Sequence, residues 1–109
     1  MKEAFRLILA ILLTSPLAAA AQVDTLAAEA LIKKSGCMKC HSVSADKDGP
    51  AFRKTAAKYK GKADAEATLY KHVTTGPMVK VDGKEERHEI IKSKDDREIK
   101  NAIAYILSR

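Results

Sequence analysis

Two cysteines and a histidine are grouped in the run Cys37-Met38-Lys39-Cys40-His41, and the chain has no other cysteine. C-x-x-C-H is the spacing at which c-type haem is attached. Thiols three positions apart on one helical turn can add to the two vinyl groups of one porphyrin, and the adjacent imidazole can bind the iron. The motif therefore predicts one haem c, covalently held by Cys37 and Cys40, with His41 as an iron ligand.

Three other kinds of site fit the same residues. In an oxidising compartment the two cysteines can form a structural disulfide. They can also form a thioredoxin-like redox pair, although the chain lacks the alternating β-α pattern of that fold. A zinc site would use both cysteines with two of His41, His72 and His88.

The first residues have the pattern of a secretory signal peptide. Lys2 and Arg6 precede a seven-residue apolar run over 7–13, and small residues at 18–21 offer a cleavage site after Ala20 or Ala21. The apolar run is shorter than the ~20 residues that a spanning helix needs. We therefore expect a signal peptide over 1–21, one domain over 22–109, a periplasmic location and no permanent membrane anchor.

Size and charge narrow the classes of function. A chain of 109 residues with a net charge of +6 holds one small domain, whose core is marginal without a staple or a bound group. The basic residues are spread along the chain and form no dense stripe, so we expect no nucleic-acid partner. A redox partner protein with an acidic docking surface is the better match for this charge.

The remaining sequence predicts short helices that surround the motif. Asp24 or Thr25 can cap the first helix, Gly76 can end another, and Asp82-Gly83 indicates a hairpin turn. Apolar residues at i, i+3, i+4 and i+7 mark one face of a last helix, which a capping box from Ser93 can begin. The expected architecture is all-α, with three to four helices and one small hairpin; the predicted helices cover about 24–34, 51–59, 64–74 and the C-terminal residues after 96.

These features together resemble those of the small bacterial class I cytochromes c. The likeness rests on the C-x-x-C-H motif, on the run over 49–62 that begins Gly49-Pro50-Ala51-Phe52, and on the ending Ala104-Tyr105-Ile106-Leu107. The resemblance implies the class I cytochrome c fold. It also implies that the Pro50 carbonyl accepts the ring N–H of His41, and that Tyr105 packs near Ala27, Ala30 and Leu31 where the first and last helices cross.

The sixth iron ligand departs from the family pattern. Family members supply a methionine about sixteen or seventeen positions before the aromatic residue of the last helix. His88 stands at that distance before Tyr105, whereas Met78 lies ten residues further upstream. We therefore expect His/His ligation by His41 and His88, with Met78 as the alternative sixth ligand and an open sixth position as a third possibility.

The resemblance implies single-electron transfer between Fe(III) and Fe(II), and no enzymatic activity. Two alternatives stay open: a haem-based gas or redox sensor with a labile sixth ligand, and the haem subunit of a periplasmic dehydrogenase. His72 is expected to be a surface residue or a partner of a haem propionate. The lysines that could surround the haem edge are Lys33, Lys34, Lys39, Lys54, Lys58 and Lys80.

Overall fold

The computed structural model describes residues 22–109, and the predicted signal peptide over 1–21 lies outside them. The described part contains four α-helices, a single 3-10 turn and one two-stranded antiparallel sheet. The all-α prediction is therefore confirmed. The elements are α1 (Thr25–Lys34), the 3-10 turn (Cys37–Lys39), α2 (Phe52–Tyr59), α3 (Ala65–Thr75), β1 (Met78–Val81), β2 (Lys84–Arg87) and α4 (Asp96–Leu107).

Helix α4 is the centre of the packing, because it contacts α1, α2 and α3. Its apolar face is buried at three of the four predicted positions, Ile99, Ala102 and Ile103, while Ile106 is partly buried. Ile103 is 1% exposed. The 3.6-residue period of a helix places these side chains on one side, so the pattern predicted which face is buried.

Polar contacts fix the crossing of α1 and α4. The Asn101 side chain accepts a hydrogen bond from the Asp24 backbone N–H at 2.9 Å and donates to the Asp24 carbonyl at 2.8 Å. The Tyr105 hydroxyl donates to Glu29 at 3.1 Å. Leu31 shares the buried cluster with Tyr105.

Leu31 therefore lies in one buried cluster with Tyr105, in agreement with the expected packing. Ala27 and Ala30 are exposed, and their nearness to Tyr105 stays a prediction.

The capping of α4 differs from the predicted box. Asp95 is the N-cap, and its carboxylate accepts the Arg97 N–H at 2.8 Å. The Ser93 hydroxyl instead accepts the Asp95 N–H at 3.0 Å and donates to Glu98 at 2.6 Å. Asp95 directly precedes the first helical residue, so its carboxylate reaches a helix N–H, whereas Ser93 lies two residues further from the helix.

The hairpin extends beyond the predicted turn. Its strands pair from Met78 opposite Arg87 to Val81 opposite Lys84. Asp82 and Gly83 connect them with φ values of 49° and 77°, and two positive φ angles are what the tight turn of a hairpin requires. His88 directly follows β2, so the hairpin places this histidine next to α3.

No helix of residues 22–109 is long and apolar enough to cross a membrane.

Candidate functional site

The two thiols and the His41 imidazole come from one tight turn. Gly36 adopts a left-handed φ of 76°, which ends the first helical segment and starts the 3-10 turn. The Cys37 carbonyl then accepts backbone N–H bonds from Cys40 at 3.2 Å and from His41 at 2.9 Å. The turn therefore presents all three side chains within one short stretch of backbone, as thioether attachment to a single porphyrin requires.

Both cysteines are free and partly buried, and no disulfide joins them. Burial raises the pKa of the Cys37 thiol, and the nearby charges of Glu89 and Cys40 act in the same direction. In residues 22–109 no group of three or more His, Cys, Asp or Glu side chains is arranged to hold a metal ion.

The His41 ring is held by the residues that follow the motif. Its Nδ1 lies 2.7 Å from the Pro50 carbonyl oxygen, which is the hydrogen bond implied by the family resemblance. Because a carbonyl can only accept, Nδ1 carries the proton and Nε2 keeps a free lone pair. The buried Phe52 ring stacks on the imidazole, with centroids 5.5 Å apart and planes inclined by 25°.

Gly49 leaves the space that the His41 ring occupies. A Cβ at this position would lie 2.5 Å from Cε1 and 2.8 Å from Nδ1 of His41, well inside van der Waals contact. The Gly49 N–H also donates to the Cys40 carbonyl at 2.7 Å. From the sequence, Gly49 was noted only as the first residue of the run over 49–62, and its close approach to His41 was not predicted.

Asp46 organises the loop between the motif and α2. Its carboxylate accepts the Ala51 N–H at 2.9 Å and forms an ion pair with Lys54. The Lys54 hydrogen bond, followed by the Ala51 N–H, lowers the pKa of this carboxyl. Because Ala51 adjoins Pro50, Asp46 helps to set the carbonyl that holds His41.

His88 lies opposite His41 in the described structure. The centroids of the two imidazole rings are 6.0 Å apart and their planes are inclined by 51°. The His88 Nδ1 lies 2.7 Å from the Glu89 carbonyl oxygen, so it too carries the proton and leaves Nε2 free. The two histidines therefore have the same hydrogen-bond arrangement.

The spacing of these rings can be compared with what a shared iron needs. Since a transition-metal ion binds an imidazole nitrogen at about 2 Å and that nitrogen lies about 1 Å from the ring centre, two imidazoles on opposite sides of one ion have centroids about 6 Å apart. The observed 6.0 Å matches this separation. The residues present thus fit a haem that Cys37 and Cys40 would hold, with His41 and His88 as candidate iron ligands.

Met78 has a different environment. Its side chain is 53% exposed, and it lies in β1 across from Arg87 at the open end of the hairpin. The His88 ring, by contrast, lies 6.0 Å from the His41 ring, centroid to centroid.

His72 is partly buried at the surface of α3, and its expected role as a surface residue or a propionate partner stays a prediction. It projects from α3 against His88, with ring centroids 4.2 Å apart in an edge-on arrangement. Burial lowers the pKa of His72, and the charges of His88, His41 and Lys58 add to that effect. Sequence spacing did not show this contact, because it depends on where the hairpin places His88.

Comparison with known proteins identifies related chains. Residues 26–109 match the family model named Cytochrome c. The structure is similar to that of the class 1 cytochrome MtoD from Sideroxydans lithotrophicus ES-1, with a TM-score of 0.76 and 49% identity over 80% of this chain and 97% of that chain. Cytochrome c552 from Nitrosomonas europaea gives a TM-score of 0.57 and 28% identity, over 73% of this chain and 96% of the other.

Curated relatives match a shorter segment. Cytochrome c-551 from Pseudomonas aeruginosa is 42% identical over 48 residues, which cover 44% of this chain and 46% of the relative. Cytochrome c-551 from Allochromatium vinosum is 50% identical over 46 residues, or 42% of this chain and 49% of the relative. The chain thus spans about half the length of the curated relatives it matches.

Proposed function

The chain belongs to the cytochrome c family, and we propose on that premise that it is a single-electron carrier. Haem c, covalently bound, is the cofactor that this family implies, and the two cysteines it needs are present. Membership in a family of electron carriers agrees with the prediction that the chain is not an enzyme.

The proposed ligand set follows from the geometry around His41. Cys37 and Cys40 would hold the haem through thioethers, and His41 and His88 would be the two protein ligands of its iron. The single observation that carries this assignment is the 6.0 Å separation of the His41 and His88 rings. The free Nε2 atoms support it, since each Nδ1 is already bonded to a backbone carbonyl.

The haem, when bound, supplies an iron that accepts and releases one electron between Fe(III) and Fe(II). The chain's own residues orient the two imidazoles. The Pro50 carbonyl keeps the Nδ1 proton on His41, and the Glu89 carbonyl does the same for His88. These bonds increase the electron density on each Nε2, which favours the ferric state. Phe52 stacks on the His41 ring, and Gly49 leaves the space that the ring fills.

Redox titration of His88→Met tests the sixth ligand. Methionine sulfur favours ferrous iron, so the reduction potential is expected to rise relative to the wild type. Met78→Leu is the matched control, and it should leave the potential and the low-spin spectrum unchanged. If His88→Met has the wild-type potential, the His88 assignment is wrong. A sulfur-to-iron charge-transfer band in ferric wild-type protein, lost in Met78→Leu, would assign Met78 instead.

Carbon monoxide binding separates the carrier from the sensor alternative. A carrier with two firm imidazole ligands resists CO in the reduced state, whereas a sensor with a labile sixth ligand binds it readily. We expect the reduced wild-type spectrum to be little changed under CO. His88→Ala is the positive control, because it opens one side of the iron.

We also propose that the redox partner has an acidic docking surface. The lysines that support this proposal are all exposed: Lys33, Lys34, Lys39, Lys54, Lys58 and Lys80. Attraction between surface charges weakens as salt screens them, so the electron-transfer rate with such a partner should fall as ionic strength rises. A rate that is independent of salt would refute the acidic partner.

The periplasmic location rests on the predicted signal peptide over 1–21. Export should yield a mature chain that begins near Gln22, which amino-terminal sequencing of the periplasmic fraction would detect. Haem-containing protein that retains Met1 would contradict cleavage.

A further inference from the structure

The backbone of His88 is tied to the end of α3. The His88 N–H donates to the Pro77 carbonyl at 2.8 Å, which continues the hairpin ladder past the Met78–Arg87 pair. Three residues later, the Ile91 N–H donates to the Val73 carbonyl of α3 at 2.9 Å. The segment that carries His88 is therefore fastened on both sides of the histidine.

Gly76 lets this segment lie directly on the helix end. It is buried and has a left-handed φ of 60°. A Cβ at Gly76 would lie 2.8 Å from the His88 carbonyl oxygen and 3.0 Å from Cγ2 of Ile90. The chain before the hairpin and the chain after it are thus in contact with no space for a side chain between them.

One side chain adds to these backbone contacts. The Arg87 guanidinium donates to the Gly76 carbonyl at 2.9 Å, across the base of the hairpin. The last carbonyls of a helix lack helical N–H partners and carry the negative end of the helix dipole, so a cation there is favourable. Arg87 is otherwise exposed, and it directly precedes His88.

We propose that Arg87 is a positioning residue for the sixth iron ligand. Its guanidinium holds the base of the hairpin against the C-terminus of α3, and this contact keeps the adjacent His88 ring opposite His41. The proposal rests on the proposed function in one respect, namely that His88 binds the iron. Strands β1 and β2 then serve as a clamp for that ligand, with Arg87 and Gly76 as its closing contact.

The clamp affects how well an external ligand competes with His88. An external ligand binds only when His88 has left the iron, so its apparent affinity is proportional to the fraction of molecules in which His88 is detached. A hydrogen bond contributes about 1 kcal/mol, which corresponds to about a fivefold change in an equilibrium constant. Loss of the Arg87 bond should therefore raise the affinity for an external ligand about fivefold.

The test is a spectroscopic titration of the full-length ferric holoprotein with free imidazole. Arg87→Ala is expected to bind imidazole about fivefold more tightly than the wild type. Lys84→Ala is the matched control, because it removes one positive charge from the same exposed strand. Its affinity should stay within about twofold of the wild type. Arg87→Lys keeps a cationic donor and should restore part of the wild-type resistance to imidazole.

The outcomes distinguish a failure of the clamp proposal from a failure of the assignment of His88 as the iron ligand. Equal imidazole affinities for Arg87→Ala and Lys84→Ala would overturn the clamp. A general loss of stability in Arg87→Ala, with no change in imidazole affinity, would likewise reduce Arg87 to a structural role. His88→Ala tests the premise on its own: if its ferric spectrum remains that of the wild type, His88 is not the ligand and the proposed function fails at that point.

Discussion

Replacement of Gly49 by alanine is the most direct perturbation of the His41 ring. Gly49 has no positive φ, so the backbone itself accepts an alanine, and the effect comes from the new methyl group alone. That methyl would lie 2.5 Å from Cε1 and 2.8 Å from Nδ1 of His41. Contacts this short cannot persist, so the ring must move away from Gly49 and from its 2.7 Å contact with the Pro50 carbonyl.

The size of the effect follows from that hydrogen bond. A proton held by a carbonyl makes the imidazole a stronger donor to iron, and a stronger donor favours Fe(III). If the bond is weakened by about 1 kcal/mol, the reduction potential of a one-electron couple rises by about 40 mV. The reduction potential is therefore expected to rise, by at most a few tens of millivolts as long as the His41 ring stays bound to the iron.

Redox titration with visible spectroscopy measures this shift, and Gly61→Ala is the control. Gly61 has a φ of 76°, and a Cβ there would meet nothing within 4 Å. Its alanine variant should lose about 1–2 kcal/mol of stability through backbone strain and keep the wild-type potential. A Gly49→Ala protein with an unchanged potential and spectrum would refute the argument that glycine makes room for His41.

Two further changes test the loop and the core. The lowered pKa of Asp46 means that its contacts with Lys54 and Ala51 contribute stability above about pH 4, the range of an unfolded aspartate, and lose it as pH falls through the folded pKa. Asp46→Asn should therefore be less stable than the wild type at pH 7, and thermal unfolding should show this difference vanishing in acid; a difference that persists at low pH would contradict the assignment. Ile103→Ala should lower the free energy of unfolding by about 2–5 kcal/mol in urea titrations, since Ile103 is 1% exposed. Leu26→Ala, at a position 81% exposed, should change it by less than about 0.5 kcal/mol, and equal effects at the two positions would refute the assigned core.

Local chemistry explains which parts of the fold were predictable. Asp24 caps α1 and Gly76 ends α3 as expected, because each acts on backbone groups only a few residues away. Asp82 and Gly83 form the hairpin turn for the same reason. The cap of α4 was predicted at the wrong residue. Several neighbouring side chains can reach the same helix N–H groups there, and small differences in loop geometry decide among them.

The candidate site could be predicted only where its residues are recognisable by their spacing in the sequence. The C-x-x-C-H motif and the interval between His88 and Tyr105 are both visible in the sequence. The contact of His72 with His88 and the bond from Arg87 to Gly76 are not, because they join segments whose relative position is set by the hairpin and α3. The role of Gly49 could be predicted only in part. Its proximity to Pro50 is local, but its closeness to the His41 ring depends on the loop that Asp46 organises.

The two proposed ligands, His41 and His88, are held by the same kind of hydrogen bond. Each imidazole places Nδ1 2.7 Å from a backbone carbonyl, that of Pro50 for His41 and that of Glu89 for His88. Backbone carbonyls move less than side chains, so both Nε2 atoms would keep their direction in either oxidation state of a bound iron. If both histidines are ligands, neither would have to be exchanged during electron transfer, and little rearrangement would accompany it. The same two bonds would favour Fe(III), so such a carrier would combine fast electron exchange with a lowered potential.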